Sequence, residues 1–289
     1  MLVGFITAKT RIVDDHSRSS LCDLILNVFL PCNILSSFFN TNPSQLPSLG
    51  ITFAISVLTL VACFFLAHFV LYRKAGKDQK RVLLYATIIS NASFLGNPLI
   101  ENIYGFDALI YSAVFLIPLR IALWTLGIAI FSGGTASIKK LVFHPCLVAT
   151  YLGILVMVTG FSPPALVSRL AFSLGNCTTP VSMMVVGSIL GLVSAKNMFT
   201  KLTLYYTALR LVFLPIALLG ILVLLRAPVI PAGVSVILCG TPAPVTTSIL
   251  ATKYSGDKEF ASKIIFVSTL LSVISIPFLI WLLQFALGN

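Results

Sequence analysis

The 289-residue chain is a succession of long apolar runs joined by short polar connections. The runs fall at about 19–39, 49–72, 82–103, 107–131, 141–160, 165–193, 202–225, 232–252 and 260–284, after a stub from Met1 to about Ala8. A helix that crosses the hydrocarbon core of a bilayer needs about 20 apolar residues. Nine runs meet that length and are predicted to be membrane-spanning helices; the stub is too short. We number the stub span 1 and the runs spans 2 to 10. The connections are too short to hold a soluble domain.

Composition sharpens this picture. Apolar residues make up 58% of the chain and charged residues 9%, and the mean hydropathy is +1.04. A soluble domain carries about 25% charged residues to cover its surface. The net charge of +11 does not indicate nucleic acid as a partner, because the cations sit in short clusters between apolar runs. Connections after the odd spans hold Lys9, Arg11, Arg18; Arg73, Lys74, Lys77, Lys80, Arg81; Lys139, Lys140; Lys196, Lys201; and Lys253, Lys258. Those after the even spans hold only Arg226. The positive-inside rule places the first set in the cytoplasm. The expectation is a multi-pass protein of the cytoplasmic membrane with both termini outside. The start lacks the basic segment and cleavage pattern of a signal peptide. Cys22, Cys32, Cys63, Cys146, Cys177 and Cys239 all lie in apolar runs without metal-ligand spacing, so they are expected to be small packing residues.

The chain also repeats. Asn27-Val28-Phe29-Leu30-Pro31 in span 2 and Asn176-Cys177-Thr178-Thr179-Pro180 in span 7 share an N-x-x-x-P pattern 149 residues apart. Tyr104-Gly105-Phe106-Asp107 and Tyr254-Ser255-Gly256-Asp257 precede spans 5 and 10, their aspartates 150 apart. The predicted units are residues 1–131 and 141–289, each of five spans. Five is odd, so the second unit enters the membrane inverted, as in secondary transporters. Carrying span 6 back by the same offset leaves about half of span 1 before Met1, so span 1 is expected to be truncated.

Candidate chemistry centres on two spans. Gly240-Thr241-Pro242-Ala243-Pro244 lies about halfway through span 9. Each proline removes a backbone donor, clashes with the preceding turn and pushes the residue before it toward extended geometry. Two prolines after a glycine are expected to open the helix; a plain kink is the alternative. Span 4 carries Asn91 and, further on, Gly96-Asn97-Pro98, where Asn97 reads as an N-cap and Pro98 as the first helical residue. Thr241-Pro242 gives the same signal. Two half-helix N-termini facing one point would hold an anion without a fixed charge. The bland alternative is a kinked span 4 in which Asn91 and Asn97 tie helices together.

Asn27 and Pro31 in span 2, and Thr179 and Pro180 in span 7, are accessory candidates. So are Arg120 in span 5 and Arg210 in span 8, since a charge at such depth must face protein or water. For Arg210 a structural role, bonding carbonyls freed by a broken helix, is the favoured reading. Asp107 and Asp257 read as helix caps, and Lys263, near a cytoplasmic end, can snorkel or pair locally. No intramembrane carboxylate pair and no enzyme motif is present, so neither an enzyme, a cofactor nor a metal site is expected.

These segments resemble the auxin efflux carrier family, which includes bacterial malate and malonate permease-like carriers. The matching stretches are NVFLPCNILSSF (27–38), NASFLGNPLIENIYGFDALIY (91–111), WTLGIAIF (124–131), CTTPVSMMVVGSIL (177–190), RLVFLP (210–215) and GTPAPVTTSILATKYSGDKEFASKIIFVSTLLSVISIP (240–277). The resemblance implies an all-α integral membrane protein of two inverted five-helix repeats, with a scaffold and a mobile transport domain. It implies a substrate site where broken spans 4 and 9 cross, at Asn91, Gly96, Asn97, Pro98, Gly240, Thr241, Pro242, Ala243 and Pro244. The substrate class it implies is small organic anions, carried by alternating access. A coupling proton or sodium ion and a homodimer are left open. Two other readings stand beside it. An incomplete span 1 would suit a degenerate, non-transporting paralogue or a membrane sensor. A cation antiporter of related fold would need the intramembrane carboxylates that are lacking.

Overall fold

In lipid a backbone can satisfy its polar groups only within itself, and the apolar runs do so as helices. The computed structural model describes residues 2–39, 46–71, 75–132, 143, 145–192, 198–253 and 256–287, with no strand among them. Arg73, Lys74, Lys139, Lys140, His144, Lys196, Tyr254 and Ser255 lie outside the described residues. Among the described residues five helices are long and apolar enough to cross a membrane: His16–Ser36, Pro47–Phe69, Lys77–Tyr104, Lys201–Leu224 and Lys258–Leu287. They correspond to spans 2, 3, 4, 8 and 10. Helices also occupy the remaining positions, at Leu2–Lys9, Leu109–Ala122, Pro145–Thr159, Ala165–Asn176, Thr178–Leu192, Val229–Cys239 and Thr246–Lys253.

Three prolines shape the long helices in the same way. Pro31, Pro98 and Pro215 each stand two residues beyond a π-helical turn, at Ile25–Phe29, Ala92–Gly96 and Leu209–Phe213. A proline ring collides with the carbonyl four residues back and offers it no hydrogen. The extra residue of a π turn relieves that collision without ending the helix. Pro242 and Pro244 have no such turn, and the helix ends before them.

Packing divides the spans into two groups. Spans 1, 2, 6 and 7 pack chiefly on one another, and spans 3, 4, 5, 8, 9 and 10 on one another. Each group draws helices from both halves of the chain. They meet along a seam, where the second half of span 7 lies on the π turn Ala92–Gly96 and on span 10. The end of span 2 and span 6 face span 5 there. Span 4 is central: 89% of its apolar window is buried, against 28% for span 3. Large apolar side chains such as Leu58, Leu155, Phe213, Ile274 and Trp281 point outward, as a lipid-facing surface requires.

The short first helix, Leu2–Lys9, docks on the second half of span 7. Gly4 makes this possible, since a Cβ there would overlap the Met184 carbonyl. Of the expected caps, Asp257 accepts from the Phe260 N–H at 2.9 Å. Asp107 does not cap. It sits inside the short helix Phe106–Ala108, and the chain turns on Gly105, at φ 83°. Asp14 is a cap the sequence pattern did not reveal: it accepts from the Ser17 N–H at 2.7 Å, which holds its carboxyl below the usual range. Lys263 pairs with Glu259 at 2.7 Å, one turn away.

Candidate functional site

Two helices are interrupted in the buried middle of the molecule. In span 4 the helix Lys77–Ile88 stops, Ile89 is extended (φ −100°, ψ 136°), and helix resumes after Asn91. In span 9 the helix Val229–Cys239 stops at Gly240 and resumes at Thr246. The interruptions touch: the Asn91 N–H donates to the Pro242 carbonyl at 3.0 Å. Glycine lets span 4 approach span 9 here, and span 9 approach spans 8 and 10. A Cβ on Gly96 would run into Leu238, and one on Gly240 would lie 2.5 Å from Leu279 Cδ2 and 3.3 Å from Pro215 Cβ.

An interrupted helix leaves carbonyls without donors, and buried ones must find partners. Span 8 supplies them. Arg210 Nη1 donates to the Thr87 carbonyl at 2.8 Å, and its Nε to the Thr241 carbonyl at 3.1 Å. One guanidinium thereby closes both breaks. Tyr206, one turn earlier on the same face, donates to the Ala86 carbonyl at 2.8 Å. From span 10, Ser268 accepts the Ala243 N–H at 3.1 Å and donates to the Ile264 carbonyl at 2.6 Å.

Other polar atoms nearby are buried without a partner. They include Ser90 Oγ and Asn91 Oδ1 at the span 4 break and Thr247 Oγ1 at the span 9 break. Thr178 Oγ1 and Ser182 Oγ are similar, on the half of span 7 that lies against Ala92–Gly96. Where span 7 meets spans 4 and 10 a pocket of about 300 Å³ opens in the seam, lined by Leu95, Pro98, Met183, Ile276 and Pro277, with Asn102 and Ser272 as its polar residues. Mostly apolar walls with a few convergent polar groups are the usual make-up of a small-molecule site.

The chain matches the family described as membrane transport proteins over residues 1–140 and 134–280. It belongs to that family, the auxin efflux carriers. It is 26% identical over 283 residues to an "Uncharacterized transporter" of Methanothermobacter thermautotrophicus, covering 96% of this chain and 93% of the relative. It is 23% identical over 303 residues to a protein of Rhizobium meliloti named "Putative malonate transporter", covering 98% and 92%. A third relative, the "Uncharacterized transporter YfdV" of Escherichia coli, is 23% identical over 76% of this chain and 74% of its own length. The protein is thus an integral membrane protein of a transporter family.

In this transporter-family protein Asn91, Gly96, Asn97, Pro98, Gly240, Thr241, Pro242, Ala243 and Pro244 are all buried around the two interruptions. Their local roles differ from the expected ones. Asn97 is not an N-cap: it is helical (φ −55°, ψ −49°), and its Oδ1 accepts from Ser112 of span 5. The helix restarts five residues earlier, because the π turn absorbs Pro98. Thr241 is not an N-cap either; its hydroxyl donates back to the Leu238 carbonyl at 2.8 Å. The second half of span 9 starts after Pro244, whose carbonyl accepts from the Thr247 N–H.

Arg210 joins the site in the expected structural role, though the carbonyls it bonds belong to spans 4 and 9, not to the turn before Pro215. Thr179 and Pro180 lie in the first turn of the helix Thr178–Leu192, and Pro180 is exposed. Asn27 is exposed, within the π turn that accommodates Pro31. Arg120 is buried on span 5. The sequence reading missed Ser90, Thr178, Ser182, Tyr206, Thr247 and Ser268. Only Tyr206 left a trace there, one helical turn before a buried arginine.

Proposed function

We propose that the protein carries small carboxylates across the cytoplasmic membrane by alternating access, with the substrate held in the seam beside the interruptions of spans 4 and 9. One observation carries this reading. Two buried breaks meet and are closed by one guanidinium, and a pocket opens between two helix groups where span 7, which carries the unpartnered Thr178 and Ser182, meets spans 4 and 10. Non-helical backbone survives at membrane depth only inside protein or beside a cavity. Hydroxyls offer O–H donors, which suit a carboxylate. The relative named for malonate supports a small carboxylate as cargo.

The two halves are inverted repeats on this reading. The 149–150 offset carries Asn91 onto Gly240–Thr241, so the interruptions fall at equivalent positions. The second group, which contains both breaks, would slide along spans 1, 2, 6 and 7 and expose the seam to each side in turn.

The test is uptake of labelled malonate by liposomes containing the purified protein. Saturable uptake is expected, with at least a tenfold loss in the double variant Pro242→Ala/Pro244→Ala, which heals span 9 and still inserts. Undiminished uptake by that variant would sink the role of the breaks. Failure of every small carboxylate to enter or to raise the melting temperature would sink the substrate class.

A further inference from the structure

Among the described residues two arginines are buried, and the protein treats them differently. Arg210 spends its guanidinium on the Thr87 and Thr241 carbonyls. Arg120, 7% exposed, has both Nη1 and Nη2 buried with no hydrogen-bond partner. Pro118, one turn-fragment earlier, deprives the Val114 carbonyl of its usual helical donor, yet neither Nη takes it. A guanidinium stays protonated in proteins, so this is a fixed, uncompensated charge in a region of low dielectric. Among the described residues nothing neutralises it, which leaves room for a bound anion.

Its position says which. The Ser112–Asn97 hydrogen bond sets the register of span 5 against the antiparallel second half of span 4. Arg120 lies eight residues beyond Ser112, about 12 Å along the axis at 1.5 Å per residue. The span 4 break, at Ile89 to Asn91, lies about 9–12 Å from Asn97 in the same direction. Arg120 is therefore at the depth of the break. Its helix faces span 2 and span 6 across the seam, and Cys146 on the first turn of span 6 is within electrostatic reach of the guanidinium.

We propose that Arg120 is the fixed cation of the substrate site and takes one carboxylate of the cargo in a two-pronged hydrogen bond. This rests on the carboxylate-carrier reading and deepens it: the seam selects a charged carboxylate and rejects its amide. The planar fork of arginine matches both oxygens of a carboxylate, whereas a lysine ammonium does not.

Three proteins are compared, the wild type, Arg120→Gln and Arg120→Met, for melting temperature in detergent and for malonate uptake. With no organic anion present, both variants are expected to melt higher than wild type, because a buried unpaired charge is gone. Malonate is expected to raise the wild-type melting temperature, while malonamide, and chloride at matched ionic strength, do not. Both variants are expected to lose that shift, and their KM for malonate to rise at least 100-fold. Wild-type uptake with unchanged KM in the variants would overturn the assignment. So would an equal shift from chloride, which would make the site one for inorganic anions. A wild type that neither binds nor moves any carboxylate fails earlier, at the carrier reading itself.

Discussion

At the scale of single residues, Arg210 shows how a membrane protein tolerates broken helices. A buried carbonyl left without a donor costs about 1–3 kcal/mol. Arg210 serves two such carbonyls on different spans with one rigid fork. Arg210→Lys keeps the charge but cannot reach both, so one carbonyl is orphaned. We expect a loss of about 1–3 kcal/mol, read as a lower melting temperature, together with slower uptake. An unchanged melting temperature would mean that the two bonds do not hold the breaks together. The sequence placed Arg210 at depth and favoured a structural role. It could not name the carbonyls, because they belong to residues 123 and 31 positions away.

At the scale of elements, the prolines do not act alike. Pro31, Pro98 and Pro215 follow a π turn and are absorbed, Pro118 and Pro277 sit inside α-helices, and the pair in span 9 ends its helix. A sequence pattern sees a proline but not the turn before it, which explains why Asn97-Pro98 looked like a helix start and is not one. Helix contacts add a second lesson. Gly175 in span 7 lies so close to span 2 that a Cβ would sit 2.9 Å from Asn33 Cα and 3.0 Å from its backbone nitrogen. Backbone cannot swing aside as a side chain can. Gly175→Val should force spans 2 and 7 apart and lower the melting temperature, at about 1–3 kcal/mol for such overpacking. A variant that melts with wild type would show that this helix pair yields freely.

At the scale of the whole molecule, the two packing groups cut across the two halves of the chain. The seam between them holds the pocket, the half of span 7 that carries Thr178 and Ser182, and span 5 with Arg120. Orientation is a property of this scale too. In a variant lacking the six native cysteines, a cysteine at Phe161 should react with a membrane-impermeant maleimide on intact cells. A cysteine at Gly76, beside Lys77, Lys80 and Arg81, should react only after permeabilisation. The reverse pattern would overturn the orientation drawn from the charges.

The sequence by itself determined that the chain is helical and lives in lipid, because hydropathy and charge act locally and can be read in windows of about 20 residues. It also located the break in span 9, since the effect of Pro242 and Pro244 on their own turn needs no partner. The tertiary structure alone decided which break meets which and who closes them. It decided as well that one buried arginine is satisfied while the other is left bare. Those outcomes depend on donors and acceptors brought together from distant spans, and no local pattern encodes the distance between them.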